Sequence, residues 1–340
     1  MLTLNKISTD QYNDVLNDKL FGTASIYHSL EWLSVVAKCF KYDISYYSIC
    51  EAGSAPLAVF PVFERRLGSL LIRGSPLRGT HTEFGGLFLR GNIEEQIIFE
   101  CFLKYEAFFK KGAYFEYCLD FFDPKTSRLL DRTASEDSVL FERKTSLVDL
   151  NKTIGEIWTS FNGNTRNMIR KAQKKGFETQ VCEATNSRID HFYELLQKSF
   201  RKSGQVSPHP ISFYKELFSS GFVSNVLLIE ASSKNGGVSY GIFLIDRDRM
   251  RFLSGASNKL ALLGAGSSVV LWDAIQIAKN LGLNIFDLGG LGIPSIDRFK
   301  KGFGGQEVSY TWVRGGTKIV VLLILIYQKI KTNNWFRVSK

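Results

Sequence analysis

Twice along the chain a helical run is closed by a glycine and passes at once into an apolar strand that carries one aspartate. In the first half, residues 93–111 lead through Gly112 into AYFEYCLDFF (113–122), with Asp120. In the second, LLGAGSSVVLWDAIQIAKNLG (262–282) ends on Gly282 and leads into NIFDLGG (284–290), with Asp287. A glycine at a helix end supplies the left-handed backbone that stops it, and immediate passage to a strand points to a mixed α/β architecture. Ahead of each helix lies a hairpin with an acid before its turn. The first is YYSIC (46–50), EAGSAP and LAVFPVF (57–63), with Glu51; the second is NVLLIEA (225–231), SSKNGGVS and YGIFLID (240–246), with Glu230. RFLSGAS (251–257) reads as a further strand.

Identity between the halves is poor, so the correspondence is one of architecture and not a sequence repeat. It predicts an α/β (α+β) chain of two related units, with mixed sheets and flanking helices. The expected division is 1–150, then 151–317, then a tail at 318–340. KTSLVDLNKTIGEIW (144–158) reads as the strand that crosses into the second unit. The residues leading to SLEWLSVVAKCF read as helical segments, and IRGSPLRGTHTEFGGLFL (72–89) is too irregular for either period.

Charge separates the halves. Residues 1–150 hold 17 Lys and Arg against 20 Asp and Glu, or −3, and residues 151–340 hold 26 against 13, or +13. A basic half implies an anionic partner: a nucleotide, an RNA, a phosphorylated precursor or a membrane surface. Five scattered cysteines without a CxxC suit a reducing, cytoplasmic setting, and four histidines without ligand spacing argue against a zinc site. The first residues lack the apolar stretch of a signal peptide. The longest apolar run, Ile319–Tyr327, falls well short of the roughly 20 residues of a membrane span. It reads first as a packed strand or helix, and its basic flanks leave peripheral membrane contact open.

Three segments stand out for chemistry. NTRNMIRKAQKKG (164–176) carries no acid. On a helical wheel Arg166, Arg170, Lys174, Asn167 and Lys171 span an arc of roughly 140°, and Met168, Ala172 and Ile169 lie opposite. A solvated basic face explains such a pattern. However, unpaired cations repel one another along the helix, and guanidiniums so placed suit phosphates or carboxylates. The second segment is the loop Gly264, Gly266, Ser267 and Ser268 ahead of a helix, whose free N–H groups suit a pyrophosphate. It is neither a Walker A nor a dinucleotide-binding fingerprint, and ordinary capping accounts for it equally well. The third, DLGGLGIPSIDRFKKGFGG (287–305), sets Gly289, Gly290, Gly292, Gly302 and Gly304 around Arg298, Lys300 and Lys301. There the backbone approaches a ligand closely and a lysine supplies a point charge. Nothing supports nucleophilic catalysis: there is no GxSxG, no Cys–His spacing and no compact carboxylate pair.

In this order the three segments resemble the Fem family of peptidoglycan bridge aminoacyltransferases and their GNAT-like relatives. NTRNMIRKAQKKGFE is similar to the family's basic helix, SSVVLWDAIQIAKNLGLNIFDLGG to its helix–glycine–strand segment, and IDRFKKGFGG to the element that follows. SPHPISFYKELF (207–218) fits between them. The resemblance covers about 150–310 and implies two tandem GNAT folds that move an acyl or aminoacyl group onto an amine, in the cell-wall members of a peptidoglycan precursor. It implies catalytic roles for Lys300, as stabiliser of a developing oxyanion, and for Asp287. Arg166, Arg170, Lys171, Gly289, Gly290 and Arg298 would bind substrate, and Gly264, Gly266, Ser267 and Ser268 would hold the donor's phosphates. The donor would be acyl-CoA or aminoacyl-tRNA, with no tightly bound cofactor and no metal. The acceptor would be an anionic cell-wall or glycan intermediate. Two alternatives stand beside this: an acyl-CoA-dependent N-acyltransferase acting on an amino sugar, and a non-catalytic GNAT-like binding protein.

Overall fold

The computed structural model describes residues 1–132, 138–202, 204, 206–219, 221, 223–317, 319, 320 and 322. Two compact units emerge, one of Met1–Glu142 joined by the chain from Tyr310, the other of Arg143–Ser309. The expected boundaries at 150 and 317 therefore shift. The strand Gln306–Gly316 is the reason at the second one: from Trp312 to Gly316 it pairs antiparallel with Tyr114–Cys118 of the first unit. Most of the tail expected at 318–340, including most of the run Ile319–Tyr327, lies outside the described residues. Among the described residues no helix is long and apolar enough to cross a membrane.

In the first unit the strand order is Leu2–Ile7, Asp43–Glu51, Pro56–Leu67, Leu70–Ser75, Tyr114–Cys118 and then the end of Gln306–Gly316. All neighbours are antiparallel except Leu70–Ser75 with Tyr114–Cys118. The opening residues are a strand and not the expected helix, because LTLNKI alternates and pairs along Tyr46–Glu51. The helix begins only at Thr9, where Ser8 and Gln11 form a reciprocal cap. Helix Glu95–Phe109 lays Phe102, Tyr105 and Phe109 on the sheet's Phe60, Phe115 and Tyr117, all essentially buried. Each such ring contributes about 1.5–3 kcal/mol of burial.

The second unit has the order 143–149, Ile285–Asp287, Arg249–Ser257, Val238–Asp246, Val226–Ser232 and Glu178–Cys182. Here too every pair is antiparallel except one, Arg249–Arg251 beside Ile285–Asp287. The long helix Gly266–Asn280 packs on this sheet and on the basic helix Gly163–Lys174, burying Val269, Val270, Ala274, Ile275 and Ala278 against Ile169, Ala172 and Ile229. Helix Asn186–Lys202 crosses strand Arg249–Ser257. Residues 262–264, expected as the start of a glycine-serine loop, instead end a short helix, Lys259–Gly264, capped by the Asn258 side chain.

Candidate functional site

The parallel pair is the place where the second unit's chemistry gathers. Arg249, Met250 and Arg251 face Ile285, Phe286 and Asp287, and pairing stops there while the first strand continues to Ser257. A backbone that leaves a sheet must satisfy its polar groups otherwise. Asp287 does this. Its side chain reaches no solvent, and its Oδ1 accepts the Thr145 hydroxyl at 2.5 Å and the Gly289 N–H at 2.8 Å. Its Oδ2 faces Arg249 Nη1 at 3.3 Å and Arg251 Nε at 4.0 Å. Arg249 in turn reaches Asp246 at 3.2 Å. Expected as a catalytic acid or base, Asp287 is instead committed to protein donors and fixes the turn that follows it.

That turn carries Gly289 at φ +78°, where a Cβ would stand 3.0 Å from the Phe252 carbonyl and 3.3 Å from Lys300 Nζ. Only glycine fits so close a passage. Lys300 arrives from the helix Pro294–Lys301, which starts on a proline and whose Asp297 accepts the Gly292 N–H at 2.9 Å. Lys300 is 8% exposed, and its Nζ donates to the Gly290 carbonyl at 2.8 Å. Burial, then repulsion from Arg251, pushes its pKa down to about 8, against the opposing pull of Asp287 and Asp297. Near neutral pH it is a shielded cation with N–H groups to spare.

The glycines after Lys300 serve packing. Gly302 accepts the Asn162 N–H at 2.9 Å, and a Cβ on it would stand 3.1 Å from Asn162 Nδ2. Asn162 is the cap of the basic helix and accepts the Thr165 N–H at 2.7 Å. Phe303, fully buried, meets Phe161 edge-on at 5.2 Å. The FKKGFGG segment is thereby seated on the start of the basic helix, while Lys301 pairs outward with Glu307 at 2.7 Å. Two of the three segments singled out in the sequence are thus in direct contact.

On the basic helix the cations divide. Arg166 turns back and donates to the carbonyls of Thr159 and Phe161, closing the end of helix Ile154–Ser160. Arg170 lies 5.4 Å from the Trp158 ring and donates weakly to Asn167 at 3.4 Å. Arg170, Lys171, Lys174 and Lys175 are exposed, as is Arg298 on the lysine's own helix. The expected grip by Arg166 together with Arg170 is not what the structure assembles, since Arg166 is spent on backbone carbonyls.

Gly264 and Gly266, expected in a loop, stand at the junction of two helices and also have a packing cause. A Cβ on Gly264 would come 2.8 Å from Phe177 Cζ, and one on Gly266 would come 3.1 Å from Phe177 Cε1. Ser267 shares its hydroxyl with Ser257 at 2.8 Å and Ser239 at 3.3 Å, and Ser268 is buried. The helix Gly266–Asn280 does begin here, so the placement suits an anion while the glycines answer to a ring.

One polar network escaped the sequence reading. His191 Nδ1 and the Tyr240 hydroxyl lie 3.1 Å apart, and Arg188 Nε is 3.7 Å from Glu230 Oε2. Burial, then Glu230, pushes the Tyr240 phenol up to about 12. The available signal was the hairpin register, which sets Tyr240 directly opposite Glu230, and the three-residue spacing of Arg188 and His191 on one helix. Among the described residues no group of His, Cys, Asp and Glu is arranged to hold a metal.

With this geometry in view, comparison with known proteins is informative. Residues 160–301 match the acetyltransferase (GNAT) domain family. The crystal structure of FemX is similar over 91% of this chain and 96% of its own, with a TM-score of 0.63 at 11% identity. L-PGS from Bacillus licheniformis is similar over 95% and 96%, with a TM-score of 0.54 at 12% identity. The C-terminal domain of a putative lysylphosphatidylglycerol synthetase from Agrobacterium fabrum is similar over 94% and 95%, with 0.53 at 13%. No curated protein matches the sequence. The chain therefore has a GNAT-like α/β fold resembling FemX and carries an acyltransferase domain.

Proposed function

We propose that the chain transfers an aminoacyl group onto an amine of an anionic cell-wall or surface-glycan precursor, working in the cytoplasm. The observation that carries this is Lys300, buried yet cationic, held by the Gly290 carbonyl where the parallel strands cease to pair. In transfer from an ester, the amine lone pair forms the N–C bond and the carbonyl π electrons move onto oxygen. An ammonium in a low-dielectric site stabilises that oxyanion strongly. Collapse breaks the C–O bond, and the proton of the attacking amine leaves with the alcohol or to solvent. No covalent enzyme intermediate is needed, which suits a site built from one lysine, backbone groups and positioning. The exposed Arg170, Lys171 and Arg298 would attract the phosphates of an aminoacyl-tRNA donor or of the acceptor.

A second reading, acyl-CoA-dependent N-acylation of an amino sugar, is favoured by the GNAT match over 160–301 and by the helix start at Gly266. Titration with aminoacyl-tRNA and with acetyl-CoA separates the two. The first reading expects saturable binding of aminoacyl-tRNA and transfer to a nucleotide-linked precursor. Binding of acetyl-CoA alone establishes the second, and binding of neither donor, with no transfer, leaves a ligand-binding protein.

A further inference from the structure

The first unit carries a buried charge imbalance for which its fold has no use. Glu116 and Arg314 are direct cross-strand partners. Arg78, just after strand Leu70–Ser75, closes on the same carboxylate, its Nε 2.8 Å from Glu116 Oε2, while Arg314 Nη2 stands 3.8 Å from that oxygen. Two guanidiniums therefore share one acid. Arg314 is 2% exposed, and its Nε and Nη2 have no hydrogen-bond partner, while the buried Tyr114 hydroxyl faces the Glu116 carboxylate. The Phe141 ring lies against both cations, 4.5 Å from the Arg314 guanidinium carbon and 5.8 Å from that of Arg78.

A buried guanidinium normally has its donors met, because an N–H withdrawn from water without an acceptor is costly. Here the acid is shared and one unit of positive charge is left over, with two guanidinium nitrogens unspent. A second carboxylate would balance that charge, and its two oxygens match the planar fork of an arginine. The aromatic ring beside both cations holds them flat for such a partner. Arg78, the most exposed of the three, marks the side of entry.

We propose that Arg78 and Arg314, beside Tyr114, form a binding site for a ligand carboxylate in the first unit, with Glu116 holding the guanidiniums in place until the ligand arrives. This stands independently of the transfer chemistry assigned to the second unit. The test is a thermal-shift and calorimetric titration of the full chain with acetate and with inorganic phosphate, at constant ionic strength. Acetate is expected to stabilise the protein saturably. Arg314→Met, which keeps much of the apolar volume, should abolish that effect. Glu116→Gln removes the competing acid and should tighten acetate binding about tenfold. A purely structural ion pair predicts the reverse, weaker or unchanged binding in Glu116→Gln, and that result would overturn the proposal. So would equal stabilisation of Arg314→Met and the parent protein, or no saturable effect of either anion. Saturation by phosphate but not acetate would overturn the ligand class. If Arg314→Met does not fold, Arg78→Gln at the exposed side carries the test, with the same loss expected and unchanged binding contradicting it.

Discussion

Asp287 Oδ1 accepts the backbone N–H of Gly289 at 2.8 Å, and this bond shapes the turn on which Lys300 rests. The carboxylate sits inside a cage of Thr145, Arg249 and Arg251, so its charge is balanced without solvent. Its influence on the site passes through the backbone and through its field at Lys300.

Asp287→Asn keeps the shape and removes the charge that Arg249 and Arg251 share. Breaking one partner of a buried pair costs about 3–5 kcal/mol. The expected outcome is a lowered urea midpoint, together with a lower kcat and little change in KM. A variant of unchanged stability would show that the cage is not under this electrostatic constraint.

Gly264→Ala tests why glycine stands at the end of helix Lys259–Gly264. The new methyl would press on the Phe177 ring, and overpacking of this kind costs about 1–3 kcal/mol. Adding Phe177→Leu should restore most of the lost stability, read as a thermal midpoint. If the double variant is no more stable than Gly264→Ala, the ring is not the reason for the glycine.

The two arginines of the basic helix should behave differently. Arg166→Ala removes donors from the Thr159 and Phe161 carbonyls and is expected to cost about 1 kcal/mol of stability. Arg170→Ala should leave stability within about half a kcal/mol and raise the KM for an anionic substrate. Urea melts and substrate titration on both variants check this, and the opposite pattern would reassign the roles.

These contrasts show what the sequence could and could not reveal. The period of the basic helix was legible, because it is local. So were both hairpins and the helix–glycine–strand passages. The function of Arg166 was not legible, since the wheel places a side chain on a face without saying which carbonyl it meets. Asp287 and Lys300 were picked out by residue type and by resemblance. That one is sealed among arginines while the other lies against a glycine carbonyl depends on Arg249, Arg251 and Thr145, which are distant in sequence. The first strand, Leu2–Ile7, was missed because six residues of weak alternation acquire meaning only beside Tyr46–Glu51.

Acid should weaken the second unit through His209. Burial holds its pKa down to about 4, below the usual 6.5. Between those values the unfolded chain binds more protons than the folded one, so stability rises with pH across that window and falls as pH drops through it. His209→Gln should flatten this limb in urea melts taken from pH 7 to 4. An unchanged slope would remove His209 as its cause.

The central claim is that the Lys300 ammonium stabilises the oxyanion, and a single-turnover pH profile tests it most directly. With a pKa near 8, the cation is lost as pH rises through that value, well below the ordinary lysine range. The transfer rate of the parent protein should therefore fall above about pH 8 as one group deprotonates. Lys300→Met should be slower by about 10²–10³-fold and lack that limb. A Lys300→Met variant that transfers at the parent rate, or that keeps the same fall above pH 8, would contradict the account.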